Sequence, residues 1–192
     1  LSDDEIKFLV KETEKIAPHF TRYLYLGGFP EFIANSSNPQ DMKLRRNDAV
    51  TKIIKADLQE VYSIRNVKQV EKVFLYLCLK SSYAINIEKM SKQLDNMNKI
   101  SIHNYLDFLT CGNIIYDSEP VPLNGEIHYK SRPKVYIADA SIRNAVLLTD
   151  KTVSSDSEID NMVEAVIYRH FIKTFGNKAQ QTGYYRKALG NH

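Results

Sequence analysis

Apolar residues at helical spacing run through most of the chain and predict a mainly α-helical protein. A capping-box pattern at Ser2–Glu5 indicates the start of a helix of about three turns, and a second helix is expected from Pro18 to Leu26. Similar stripes predict helices farther on, over residues 41–62, 67–82, 87–94, 99–110, 142–148 and 162–175. On the last of these helices, the pattern places Val163, Val166, Ile167, His170 and Phe171 inward.

The apolar period changes to two near residue 114. Ile114–Tyr116 and Lys134–Ile137 are short β-branched and aromatic runs separated by a loop with prolines and an Asn-Gly pair, which is typical of two paired strands. Gly183–Arg186 resembles the beginning of one more strand. The predicted elements of residues 66–140 follow in the order helix, short helix, turn, helix and two-stranded ribbon. This is the element order of a winged helix, so we expect one there.

Composition and charge exclude several classes of protein. The 192 residues carry a formal net charge of +3 and have no apolar run long enough to cross a membrane or to act as a secretory signal. The two cysteines lie singly in apolar stretches, which favours buried thiols over a disulfide or zinc site. We therefore expect a cytoplasmic protein without a membrane partner. The chain opens with a leucine, and we expect it to be part of a longer protein.

Catalytic motifs are missing from the sequence. It contains no phosphate-binding Gly-rich loop, no HExxH and no GxSxG, and its five histidines are scattered singly. We therefore predict that this chain has no catalytic residue, no metal site and no cofactor of its own.

The expected winged helix has two interpretations, which the sequence leaves open. As a DNA-binding unit, it would place helix 99–110 in the major groove. Its DNA contacts would then come from Lys92, Lys99, Ser101, His103, Asn104, Lys130 and Arg132. As a protein-binding unit it would use the same exposed face, where Asp107 repels phosphate and Ile100 favours an apolar neighbour.

Three segments together resemble a known family. Tyr23–Glu31 reads YLYLGGFPE, Ile53–Leu58 reads IIKADL, and Pro133–Asp139 reads PKVYIAD. Together with the expected winged helix, these segments resemble the C-terminal region of prokaryotic AAA-type, STAND-like ATPases that carry a DUF4143 domain.

This resemblance implies roles that the residues alone do not. The parent protein would be an ATPase using ATP and Mg²⁺ on an N-terminal P-loop domain outside this chain, and Gly27, Gly28 and Pro30 would contact its nucleotide. The chain would end in the truncated start of a restriction-nuclease-like α/β domain, with Glu164 as a remnant of the nuclease site.

The combined expectation is a mainly α chain with a small β component in three parts. Residues 1–65 would form a helical lid-like segment, 66–140 the winged helix, and 141–192 the incomplete α/β domain. The expected function is to couple the nucleotide state of the parent to the binding of DNA or a protein partner. The alternatives are a protein-interaction scaffold without nucleic acid, or part of a nuclease-like enzyme whose catalytic motif lies beyond the C-terminus.

Overall fold

The computed structural model describes residues 2–28, 66–120, 132–147, 155–175 and 183–184. Within these residues the chain forms six helices and one two-stranded antiparallel sheet, which confirms the mainly α fold with a small β component. The predicted helix over 41–62 lies outside the described residues, as do Pro30 and Lys130.

Helix α1 spans Asp3–Leu26 as one continuous helix. The capping box that starts it is confirmed, because the Ser2 side chain accepts from the amide of Glu5 and Glu5 accepts from the amide of Ser2. The prediction of two separate helices is wrong, since Pro18 lies inside α1. A proline deletes one backbone hydrogen bond, and the flanking Ile16, Ala17 and His19 all keep helical geometry.

Three helices follow, and an asparagine caps each one. Helices α2 (Val67–Leu79), α3 (Ile87–Gln93) and α4 (Lys99–Cys111) begin after Asn66, Asn86 and Asn98, whose side chains accept from backbone amides in the first turn. The expected tight turn between α3 and α4 is also present. Its residues Asp95 and Asn96 have φ angles of 57° and 56°, in the left-handed region that asparagine and aspartate tolerate best.

Strands β1 (Ile115–Ser118) and β2 (Lys134–Ile137) pair antiparallel, with Ile115 opposite Ile137 and Ser118 opposite Lys134. The connection between α2 and α3 joins the free edge of β2. Ala84 forms an antiparallel bridge with Lys134, and the amide of Ser82 donates to the carbonyl of Val135 at 2.8 Å. The sheet edge is therefore covered by the chain itself.

Two further helices, α5 (Ala140–Leu147) and α6 (Asp156–Phe175), complete the described chain. The main core is formed by α2, α3, α4, both strands and α5, and it centres on fully buried Phe74, Leu77 and Ile102. A second, smaller cluster packs Leu24 of α1 against Met162 of α6.

Helix α6 differs from the sequence expectation at its start and on its outer face. It begins six residues earlier than expected, at Asp156, where Glu158 lies in the first turn and the amides of Glu158 and Ile159 donate to the carbonyl of Ser155. Ile167, His170 and Phe171 are exposed, so placing them inward is wrong. Their stripe extends past the reach of the small core, which α6 enters only through residues near its middle.

Candidate functional site

The turn that follows α1 docks against the segment that starts α5. Gly27 ends α1, donating from its amide to the carbonyl of Tyr23 at 2.8 Å, with φ 71° and ψ −167°. A Cβ at this residue would lie 1.9 Å from Oδ1 of Asp139 and 2.5 Å from Oγ of Ser141. Because both this backbone conformation and this contact exclude a side chain, the position requires glycine.

The carboxylate of Asp139 is the centre of this contact. Oδ1 accepts from the amide and hydroxyl of Ser141 at 2.9 and 2.6 Å, and Oδ2 accepts from the amide of Gly28 and from Nη1 of Arg169, both at 2.9 Å. The residue is 4% exposed. A carboxylate offers about four acceptor positions, and these four donors use them. Asp139 is therefore a structural hub that ties α1 and α6 to the start of α5, with no acceptor left for a metal or a substrate proton.

Two neighbouring polar side chains of α5 extend this hub. Asn144 donates from Nδ2 to the carbonyls of Leu24 and Tyr25, in the last turn of α1, at 3.2 and 3.4 Å. Arg143 donates from Nε to the carbonyl of Cys78 at 3.1 Å and from Nη2 to Glu158 at 3.2 Å. Carbonyls at the end of a helix lack intrahelical partners, so α5 satisfies the ends of α1 and α2 while joining them to α6.

Glu164 takes part in a second contact, between β2 and α6. Its Oε1 accepts from Nζ of Lys134 at 2.7 Å and from the hydroxyl of Tyr136 at 2.9 Å. Burial, with the nearby Glu164 carboxylate, raises the pKa of the Tyr136 hydroxyl far above its ordinary value. The ring of Tyr136 stacks on Tyr168 with centroids 4.3 Å apart. This arrangement packs α6 on the sheet and leaves Glu164 paired with a cation.

No metal centre is formed in the part of the chain that the structure describes, where no three His, Cys, Asp or Glu side chains come together as possible ligands. Gly27 and Gly28, expected to meet a nucleotide, contact Asp139 instead. A nucleotide contact of this turn stays a prediction.

The predicted DNA contacts lie on α3, on α4 and beside β2. The exposed Lys92 and Lys99 and the exposed Arg132 all act on one carboxylate, that of Glu88. A hydrogen bond from Nζ of Lys99, 3.0 Å from Oε1, lowers the pKa of Glu88 most, and the positive charges of Lys99, Lys92 and Arg132 lower it further. Lys92 lies four residues after Glu88 on α3, while Lys99 and Arg132 act on the same acid from α4 and from the residues just before β2.

The outer face of α4 carries the remaining predicted contacts. His103 and Asn104 are exposed and Ser101 is half-buried. Ile100 is 70% exposed on the same face, and Asp107 is exposed as well. The inward face holds Ile102 and Leu109, as the apolar spacing predicts.

Comparison with known protein families decides which family this is. A family model described as a domain of unknown function, DUF8612, matches residues 17–153. The chain belongs to this DUF8612 family. The expected resemblance to DUF4143 ATPases is therefore wrong. The segments that suggested it, among them the glycine turn and the stretch ending at Asp139, lie inside the region that DUF8612 matches. No curated protein and no solved structure matches the chain.

The DUF8612 match spans the glycine turn, Asp139 and the cations that act on Glu88, whereas the whole of α6, including Arg169, lies outside it. Sequence reasoning missed the hub. The sequence did contain a signal for the hub, because its two most distinctive segments, at Gly27-Gly28 and at Asp139, are the ones that contact each other in the fold. None of the described helices is long and apolar enough to span a bilayer.

Proposed function

We propose that residues 66–147 of this DUF8612 protein form a winged-helix unit that binds duplex DNA. The element order supports this proposal: α2, the edge segment at Ala84, α3, α4, β1 and β2 follow one another as in a winged helix. In such units the helix in the position of α4 enters the major groove, and the loop between the strands contacts the backbone beside it.

The convergence of three cations carries the proposal. Lys92, Lys99 and Arg132 come from α3, α4 and the end of the β1–β2 loop, and together they exceed the charge of Glu88 by two. A duplex presents one negative charge per ~1.7 Å of its axis, so a cluster of this kind suits two or three neighbouring phosphates. The group lies beside the first turn of α4, where a recognition helix meets the DNA backbone.

Exposed side chains on α4 would read the bases. The amide of Asn104 suits the N6 and N7 edge of adenine, and His103 and Ser101 suit a phosphate or a base edge. The helix carries no arginine, the residue that reads guanine best, so the expected sequence preference is for A·T pairs and is modest.

Fluorescence anisotropy with a short duplex of mixed sequence tests this function. If each of the three cations neutralises one phosphate, the slope of log affinity against log salt is about −2.7, and the affinity falls ~40-fold between about 50 and 200 mM salt. Lys92→Ala, Lys99→Ala and Arg132→Ala should each reduce this slope by about one. Lys11→Ala, on the exposed part of α1, is the matched control and should leave it unchanged. Binding that is absent, insensitive to salt, or equally weakened by Lys11→Ala would refute the proposal.

A protein partner on the same face is the second candidate, and Ile100 favours it. A large aliphatic side chain that is 70% exposed, surrounded by charges of both signs, resembles the apolar centre and polar rim of a protein interface. On this alternative, Ile100→Ser abolishes partner binding while any DNA affinity is unchanged. On the DNA proposal, Ile100→Ser has little effect on the salt slope.

The hub at Asp139 would hold this unit in a fixed relation to α1 and α6. Gly28 and Arg169 both donate to Oδ2 of Asp139, so a displacement of the glycine turn would act directly on the start of α5, next to β2. Coupling of this kind requires a ligand that prefers one arrangement.

A further inference from the structure

One apolar stripe runs along the whole of α1, and within the described residues its neighbours in the same chain cover only the second half. Ile6, Leu9, Val10 and Ile16 of the first half are exposed. Leu24 continues the same stripe, and it is buried against α6 with Phe20 and Tyr23 packed beside it. Residues spaced by three and four share a face of a helix, so the exposed part extends an interface that already exists.

An open apolar groove lies beside the covered half of this stripe. It has a volume of about 530 Å³ between the second half of α1 and the end of α6, and its walls include Phe20, Tyr23, Phe171 and Phe175. Phe171 and Phe175 are exposed and Phe20 and Tyr23 are half-buried, and aromatic rings grouped in this way are a surface that an apolar partner would cover.

The two halves also differ in charge. Residues 3–16 contain five acidic side chains and three lysines, a net charge of −2. Residues 17–28 and 166–175, which form the groove, contain no acidic residue, and Lys173 is exposed at the groove end. The first half of α1 thus carries a net negative charge and the end of the groove carries the positive charge of Lys173, so the two surfaces are complementary in charge.

We propose that a second copy of this chain occupies the groove, with the two α1 helices packed antiparallel. The first half of each α1 then lies in the groove of the other copy, with Leu9 beside the partner's Phe20 and Ile6 beside the partner's Tyr23. One two-fold axis near residue 15 makes both contacts at once. A single helix that carries both the stripe and the groove is the self-complementary surface that an isologous dimer requires.

Sedimentation velocity on the full chain tests the dimer. The wild-type chain should sediment as a dimer at micromolar concentration, and Leu9→Glu, on the stripe, should be a monomer. Lys11→Gln is the matched control, because it changes the net charge by the same −1, but the exposed Lys11 lies about 160° around the helix from Leu9. Phe171→Ser, on the other wall of the groove, should also dissociate the dimer while circular dichroism stays unchanged. A wild-type monomer, or equal effects of Leu9→Glu and Lys11→Gln, would overturn the proposal.

Thiol cross-linking distinguishes the antiparallel arrangement from a parallel one. In a Cys111→Ser background, a cysteine at Thr13 lies close to the two-fold axis and should cross-link to its counterpart with a short bismaleimide. A cysteine at Ile6 should not, because its counterpart is displaced by 17 residues, or ~26 Å along the helix. Cross-linking of both positions would indicate parallel helices and contradict the proposed pairing.

Discussion

Replacement of Gly27 by alanine should be among the most destabilising single changes in the chain. With φ 71° and ψ −167°, Gly27 occupies a region that is essentially restricted to glycine, and a side chain there costs about 1–3 kcal/mol. The added Cβ would also lie 1.9 Å from Oδ1 of Asp139, so the carboxylate must move by more than 1 Å. Losing one of its charged hydrogen bonds adds about 1.5–3 kcal/mol. We expect a total loss of about 4 kcal/mol.

Urea denaturation followed by far-ultraviolet circular dichroism measures this loss. At a typical slope of about 2 kcal/mol per molar urea, the midpoint should fall by ~2 M. Gly28→Ala is the control, because its Cβ would have no neighbour closer than 3.5 Å, an ordinary van der Waals contact. We expect Gly28→Ala to change the free energy of unfolding by less than about 0.5 kcal/mol. Equal effects of the two substitutions would refute the hub as described.

Three other predictions concern stability and reactivity. Asp139→Asn leaves Arg169 half-buried without its carboxylate and should cost about 3 kcal/mol in the free energy of unfolding, measured by the same denaturation. Asn98→Ala removes the cap that accepts from the first turn of α4 and should cost about 1 kcal/mol; an unchanged midpoint would contradict that role. Burial raises the pKa of Cys78 to about 12, whereas Cys111 is exposed, so a thiol reagent at pH 8 should titrate one cysteine in the native chain and both in urea. Folding favours the protonated thiol of Cys78, so the stability that this thiol contributes is complete below about pH 8.5 and should decline as the pH rises towards 12. Denaturation at several pH values would detect this decline.

Local signals in the sequence account for most of the helices and for the strand pair. Asn86 and Asn98 act as caps because their short side chains reach the first free amides of the next turn, a purely local interaction. The predicted break at Pro18 was wrong because a contact between distant residues outweighs the local preference. Proline lowers the local preference for helix, but the packing of Leu24 against α6 stabilises the helix beyond it, and that contact is not visible in sequence.

The candidate sites depend on contacts between distant residues, and these were harder to predict. The cations Lys92 and Arg132 were predicted by residue type alone. The spacing of four residues places Lys92 near Glu88 on α3, but only the fold brings Lys99 and Arg132 to act on the same carboxylate. Asp139 and Gly28 are 111 residues apart, and only the fold brings the carboxylate to the amide. A glycine pair predicts a close approach, without indicating what approaches.

The affinity of Glu88→Gln for duplex DNA tests the central claim most directly, because the expected effect is a gain. Glu88 is the acid on which the positive charges of Lys92, Lys99 and Arg132 act, and it accepts the hydrogen bond from Lys99. Removing its charge should leave Lys99 able to bind a phosphate and should remove the repulsion between the Glu88 carboxylate and the DNA backbone. The account predicts that Glu88→Gln binds a short duplex several-fold more tightly than the wild-type chain at low salt, with the difference shrinking as salt is added. Unchanged or weaker binding would contradict the claim that these cations contact DNA.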